Sequence, residues 1–402
     1  MRIQKIVSSA IAALLVAGSF IPSSPALGAD APSDALDTAS LQACLKQEGA
    51  SLDVMLLMDA SNSLIYGDTK SDPGSDPDKK RLEMIRSALN MLLDLATTRD
   101  IDFSASLRTF AKADNAADLK VHSQPWTKIS SPSDIDAIVK KADWAEGTGT
   151  DWLGGLEMSY EELNARQGRD AVSCPVMLWV TDGVLNPDGS SSDFSAVPRD
   201  IKKLCSPDSG YINWFRKNGV LILGGLLEPK DSASKKRSQI FNAVVEGQGP
   251  NPGDSSYFGD AITDRGGQAV CGKFEDGWVR GKVVKSENPS ELAWKFVDLI
   301  AGLNGLVALT DDESATSFVV DDSTGHVDVF FQSAKSWSIK NSAGAEICSN
   351  STGDTDVCSI HKNKAGVTTV SIDPQPDFGA YGEWTIDTDA SAQKAFGGLE
   401  GK

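Results

Sequence analysis

The stretch Leu52-Asp53-Val54-Met55-Leu56-Leu57-Met58-Asp59-Ala60-Ser61-Asn62-Ser63 decides how the rest of the chain reads. Residues 52–58 form an almost unbroken apolar run, the pattern of a strand covered on both faces rather than on one. An acid and two serines follow at once. From residue 52 to 303 such strands alternate with helical spacing, which predicts an α/β fold: a doubly wound, mainly parallel sheet flanked by helices. Leu82, Ile85, Leu89, Leu92 and Leu95 recur at helical intervals. Phe103, Ala105 and Leu107 alternate with polar residues, as in a strand nearer an edge. Leu153, Leu156, Tyr160 and Leu163 mark one face of a helix after Thr150, and residues 176–180 and 220–223 read as two more buried strands. A closing helix is expected from Asn288 as cap, Pro289 in the first turn and Glu291 three residues past the cap.

After residue 303 the texture changes. Short β-rich runs (317–320, 326–331, 367–372 and 383–386) are separated by Asp, Ser, Gly and Asn, which predicts a small all-β, sandwich-like domain. At the other end Arg2 and Lys5 precede a mostly apolar stretch to Phe20, then Pro22, Pro25 and Ala26-Leu27-Gly28, the pattern of a cleaved export signal. The expected organisation is a signal at 1–28, an extension at 29–50, the α/β domain at 51–303, the β-rich domain at 304–390 and a tail at 391–402. Six cysteines, all past the signal, agree with an oxidising compartment, with Cys348–Cys358 as the easiest of the fifteen possible pairings to expect. The expected location is extracellular or at the cell surface, with no membrane insertion once the signal is removed.

Charge narrows the partners. The 402 residues carry 38 Lys and Arg against 56 Asp and Glu, a net charge of −18. Arg2 and Lys5 are the only charges in the first 28 residues, so the remainder is more acidic still. Such a chain repels phosphodiester backbones, so nucleic acid is not an expected partner.

Ligands of open α/β sheets sit at the carboxyl ends of the strands. Asp59-Ala60-Ser61-Asn62-Ser63 follows the first strand, Thr181-Asp182-Gly183 follows the strand at 176–180, and Gly147-Thr148-Gly149-Thr150 precedes the second helix. Three loops therefore deliver two carboxylates and several hydroxyls to one end of one sheet. Oxygen-only donors suit a hard divalent cation such as Mg²⁺ or Mn²⁺.

Asp59-x-Ser61-x-Ser63, Thr148 of Gly-Thr-Gly-Thr and Asp182 of Val-Thr-Asp-Gly resemble the von Willebrand factor A domain, also found as the integrin I domain. The resemblance extends over about 250 residues in its order of elements and leaves out 29–50 and the β-rich part. It implies that Asp59, Ser61, Ser63, Thr148 and Asp182 form a metal-ion-dependent adhesion site for Mg²⁺, Mn²⁺ or Ca²⁺. In that family one coordination position is left for a Glu or Asp carboxylate of a protein partner. The implied role is an adhesin-like binding protein. The alternative is a component of a surface complex or pilus whose metal mainly stabilises the fold.

One departure stands out: an insert at 66–78 carries Asp68, Asp72, Asp76 and Asp78. It reads as a solvated polar loop, with a second cation site, a selectivity element or a carboxylate silencing the main site as alternatives. An enzyme is not expected. HExxH and GxSxG are absent, and the three histidines are scattered. Gly267 to Lys273 matches a phosphate loop only as far as its lysine, with Phe274 where Ser or Thr belongs.

Overall fold

The computed structural model describes residues 38–384, apart from 68–70, 113–115, 168–171, 190–194, 207–209, 248–270, 272–274, 276, 304–305, 309–316, 321–323, 333–336, 341–345, 351–356, 362–367 and 374–376. Beyond Leu303 the description is of strand course and pairing. The expected export signal, the tail, Asp68 and the side chains of Cys348 and Cys358 lie outside the described residues.

The chain runs α1 (Thr38–Leu45), β1 (Ala50–Asp59), α2 (Lys80–Thr98), β2 (Asp102–Phe110), α3 (Ala116–Val121), β3 (Gln124–Lys128), α4 (Pro132–Ala142) and α5 (Trp152–Arg166). It continues with β4 (Val172–Thr181), α6 (Val197–Leu204), α7 (Tyr211–Lys217), β5 (Leu221–Leu227), α8 (Ser232–Ser238), α9 (Ile240–Glu246), β6 (Lys282–Ser286) and α10 (Pro289–Leu303). The six strands lie in the order β3-β2-β1-β4-β5-β6, and every pair is parallel except β2 with β3. The winding reverses between β1 and β4. That is where the loops leaving two neighbouring strands part in opposite directions and open a crevice.

The apolar run of β1 is buried on both faces because its alternate side chains feed two cores. Leu52, Val54, Leu56 and Met58 meet α2, α4 and α10 on one side, together with Leu89, Leu92 and Phe296. Met55 and Leu57 face the other side with Trp152, Trp179 and Phe241. Burying a side chain of this size contributes about 1.5–3 kcal/mol each. Together these contacts fix the sheet at the position where the carboxylates emerge.

The expected cap of the closing helix is present with a different second half. Asn288 Oδ1 accepts from the N–H of Ser290 at 2.9 Å, but Glu291 accepts from Ser286 Oγ, which in turn accepts from the N–H of Asn288. A serine relay thus replaces the direct return bond. Among the described residues two disulfides are formed, Cys44–Cys174, which ties α1 to β4, and Cys205–Cys271. Strands β7 (Leu306–Ala308), β8 (Ser317–Val320), β9 (Thr324–Gln332), β10 (Trp337–Lys340), β11 (Glu346–Asn350), β12 (Val357–His361), β13 (Thr368–Asp373) and β14 (Asp377–Trp384) form two four-stranded antiparallel sheets.

Candidate metal centre

Asp59 is the last residue of β1, and Thr181 is the last of β4, one position before Asp182. Beyond Asp59 the backbone keeps pairing for two residues. The N–H of Ala60 donates to Phe110 O, that of Gly147 to Ala60 O, and that of Asn62 to Gly147 O at 2.7 Å. Ser61 therefore pairs with Gly147 like a residue of a short parallel strand. A Cβ on Gly147 would stand 2.5 Å from Ala111 Cβ, so only glycine lets this loop approach so closely. A single turn of 3-10 helix, Asn62–Leu64, then buries Leu64 and brings Ser63 back over the sheet end.

The side chains link across the crevice. Ser61 N–H donates to Asp59 Oδ1 at 2.8 Å, and Ser61 Oγ lies 2.9 Å from Ser63 Oγ. Ser63 Oγ donates to Asp182 Oδ2 at 2.5 Å. Asp59, Ser61, Ser63 and Asp182 thus belong to one hydrogen-bonded chain. Thr148 is exposed, one residue past the Gly147–Ser61 pair, with its carbonyl accepting from the N–H of Lys112. All five expected residues lie on the three loops at this end of the sheet.

Two further residues belong to the arrangement. Thr181 Oγ1 donates to Asp59 Oδ2 at 2.7 Å and accepts from the N–H of Gly183. Its place directly before Asp182 was the available signal. Ser75, from the insert, lies with Oγ 3.5 Å from Asp182 Oδ2, and nothing in the sequence marked it.

Electrostatics define what the cluster lacks. Asp59 is 2% exposed and Asp182 8%. Burial, followed by the nearby charge of Asp59, pushes Asp182 up to about 7. Burial also raises Asp59, against the hydrogen bonds from Thr181 and Ser61 and the charge of Arg81. Among the described residues no basic side chain forms an ion pair with either carboxylate. Two buried acids, met mainly by neutral hydroxyls and backbone N–H groups, leave a concentration of negative charge that a small cation would relieve. The donor set fits a hard divalent ion: carboxylate and hydroxyl oxygens, with no sulfur or imidazole.

Most described residues of the insert are exposed, as its polar composition suggests, but its carboxyl-terminal half is tied down. It doubles back on the 63–67 segment: Gly67 N–H donates to Asp72 O, Gly74 N–H to Ile65 O, Ser75 N–H to Ser63 O and Asp76 N–H to Leu64 O. Asp72 and Asp78 are exposed, but Asp76 is wholly buried. It accepts from Arg81 Nη1 at 2.9 Å and from the N–H groups of Lys80 and Arg81, capping α2. The ion pair and the cap account for its carboxylate, which excludes Asp76 as the residue that silences the site.

Trp152, two positions after Thr150, does not line the crevice. It is fully buried and stacks edge-on against Trp179 and Phe241, with centroids 5.3 and 5.5 Å away. Its role is to seat the start of α5 in the core, directly behind the Thr148 loop.

No protein-family model matches the sequence, and no curated protein does. Among solved structures the chain is similar to the pilus adhesin SpaC from Lactobacillus rhamnosus GG in its open conformation, with TM-score 0.38 and 13% identity. That match covers 84% of this chain and 39% of the adhesin. It is also similar to the PilB minor pilin from Streptococcus sanguinis (TM-score 0.38, 14% identity, 64% of this chain and 62% of that one). A third is the von Willebrand factor type A protein from Catenulispora acidiphila (TM-score 0.30, 10% identity, 84% of this chain and 59% of that one). Likeness at this distance concerns the fold alone, and the chemistry of the site rests on its own residues.

Proposed function

We propose that this chain is an extracellular or surface-exposed binding protein, of adhesin or pilus-component type, that captures an acidic side chain of a protein partner through a divalent cation. The observation that carries the reading is Ser63, whose hydroxyl joins Ser61 at 2.9 Å to Asp182 at 2.5 Å across the reversal of the sheet. Asp59, Ser61, Ser63, Thr148 and Asp182 would hold Mg²⁺, with Mn²⁺ or Ca²⁺ as substitutes. The ion supplies a positive charge that a carboxylate from outside can approach. The chain's own part is to hold hydroxyl oxygens toward that charge while their protons go to Asp182 and its neighbours. Neutral hydroxyls offset the ion's charge only in part, so an anionic partner group is attracted rather than repelled. Export, expected from the amino-terminal pattern, would put this surface where such partners are met. No helix among the described residues is long and apolar enough to cross a membrane.

A second reading has its own support. Because Asp59 and Asp182 are buried together, a cation stabilises the fold whether or not a partner follows. Calorimetric titration with Mg²⁺ and Mn²⁺, beside capture of proteins from matrix and cell-wall extracts with and without EDTA, separates the two. Adhesive function requires uptake near one ion per chain and partners lost on chelation. A melting point that rises with metal while every captured protein survives EDTA leaves only the stabilising role.

A further inference from the structure

Residues 71–76 of the insert are held with more determinacy than a surface loop needs. Three successive N–H groups, from Gly74, Ser75 and Asp76, donate to Ile65, Ser63 and Leu64 at 3.0, 3.0 and 2.6 Å. The approach is so close that a Cβ on Gly74 would lie 2.4 Å from Ser63 O. At its end Asp76 is buried against Arg81, which is itself only 3% exposed. A buried ion pair is weak evidence of added stability, since desolvating both charges offsets most of their attraction, but it does fix one register of the chain. The register chosen places Ser75 Oγ between two acceptors, Ser63 O at 3.4 Å and Asp182 Oδ2 at 3.5 Å, the latter the oxygen that Ser63 also meets.

The second observation is electrostatic. Arg81 Nε and Nη2 have no hydrogen-bond partner, and only Asp76 forms an ion pair with this guanidinium among the described residues. Asp76 directly follows Ser75, which meets Asp182, so an unpaired guanidinium here would oppose any cation taken up beside that carboxylate, and the ion pair with Asp76 offsets its charge.

We infer that this strap is a working part of the cation site: Ser75 is a positioning residue that holds the Asp182 carboxylate, and Asp76 neutralises Arg81 so that its charge does not repel the ion. The inference rests on the cation-binding reading above and adds to it a segment outside the five-residue pattern. A partner of the carboxylate ligand, rather than the ligand itself, then sets affinity, as hydrogen-bonded neighbours of metal ligands commonly do.

The test is calorimetric titration of the full chain with Mg²⁺ and Mn²⁺, with circular dichroism to establish that each variant is folded. Ser75→Ala is expected to weaken uptake by about tenfold, while Ser75→Thr, which keeps the hydroxyl, stays near wild type. Asp76→Asn is expected to weaken it as well, and the neutral pair Asp76→Asn/Arg81→Gln to recover most of the loss. Where Asp76→Asn does not fold, the neutral pair is compared with wild type directly. Near-wild-type affinity supports the inference, and a loss beyond about tenfold overturns it. Wild-type affinity in Ser75→Ala, equal losses in the Ala and Thr variants, or no recovery in the neutral pair overturns the role of the strap while leaving the cation site standing. A wild-type chain that takes up neither ion removes the cation reading itself, and the inference with it.

Discussion

Thr181 Oγ1 donates to Asp59 Oδ2 at 2.7 Å, so the last residue of β4 holds the carboxylate that ends β1. Both residues are essentially out of contact with solvent. The bond spans the one place in the sheet where the direction of winding changes, and it joins the two strands that deliver the acids. Thr181→Val keeps the shape and removes the donor. Hydrogen bonds to charged groups contribute about 1.5–3 kcal/mol, and the variant is expected to lose a figure in that range. Urea unfolding in EDTA measures it. A loss below about 0.5 kcal/mol would mean that Asp59 does not depend on this hydroxyl.

The pH dependence of the metal-free protein has a definite sign. Asp182 is pushed up to about 7 by burial and by Asp59, from an ordinary value of 3.8. A folded-state value above the unfolded one means that the folded chain binds the extra proton between about 4 and 7. That contribution to stability is present in full at pH below the ordinary value and is lost as the pH rises through about 7. In EDTA at pH 8, Asp182→Asn is therefore expected to be more stable than wild type, on the order of 4 kcal/mol at full ionisation, and the gap should close by pH 4. Saturating Mg²⁺ should raise the wild type and leave the variant where it was. Chemical denaturation at the two pH values decides it, and a variant less stable than wild type at pH 8 in EDTA contradicts the electrostatic account.

What was legible in the sequence follows from where the physics is local. The strand at 52–58 announces itself because both faces are buried, so only Asp53, paired with Arg166, interrupts its apolar run. The helix from Pro289 is readable because its cap and first turn use residues with specific backbone roles. Asp59, Ser61, Ser63 and Asp182 could be singled out because they follow buried strands, and Thr148 because its loop precedes a helix; the structure sets all five on loops at one end of the sheet. By contrast β3 is an edge strand that contains Pro125 and leaves most of its side chains part-exposed, so it lacks any apolar period. β6 is short and contains two lysines. Ser75 and the inward turn of Asp76 depend on a hydrogen-bonded return of the chain over ten residues, and composition alone makes such a segment look like a polar loop.

The bond between Cys44 and Cys174 anchors the helix that precedes β1 to the strand beside β1, across a separation of 130 residues. Cys174 is fully buried in the same core as Leu52 and Val176. Replacing both cysteines by serine is expected to lower stability by about 2–5 kcal/mol, because a long closed loop restricts the unfolded chain. The fold of the sheet and the cation affinity should persist, since neither sulfur lies at the carboxyl end of β4. Thermal melts of the variant with and without Mg²⁺ report both. A variant that still gains the wild-type increment with metal keeps the site and the staple separate, whereas loss of that increment ties the site to the staple.

Gly147 offers the sharpest probe of how the third loop reaches the others. Its N–H donates to Ala60 O and its carbonyl accepts from Asn62 at 2.7 Å, so the backbone that carries Thr148 is stitched to the backbone that carries Ser61. A Cβ here would meet Ala111 Cβ at 2.5 Å and Ala60 O at 2.9 Å, and both belong to the end of the sheet rather than to flexible side chains. Gly147→Ala must therefore lift the loop or push the strand ends apart. Overpacking of this kind typically costs about 1–3 kcal/mol. Because Thr148 is the next residue, cation affinity should fall more than overall stability does. Ala111→Gly in the same chain removes the nearer of the two obstacles and is expected to restore part of the affinity. Calorimetry on the single and double variants checks this, and a Gly147→Ala chain that binds Mg²⁺ as tightly as wild type shows that Thr148 is not held to the site through this loop.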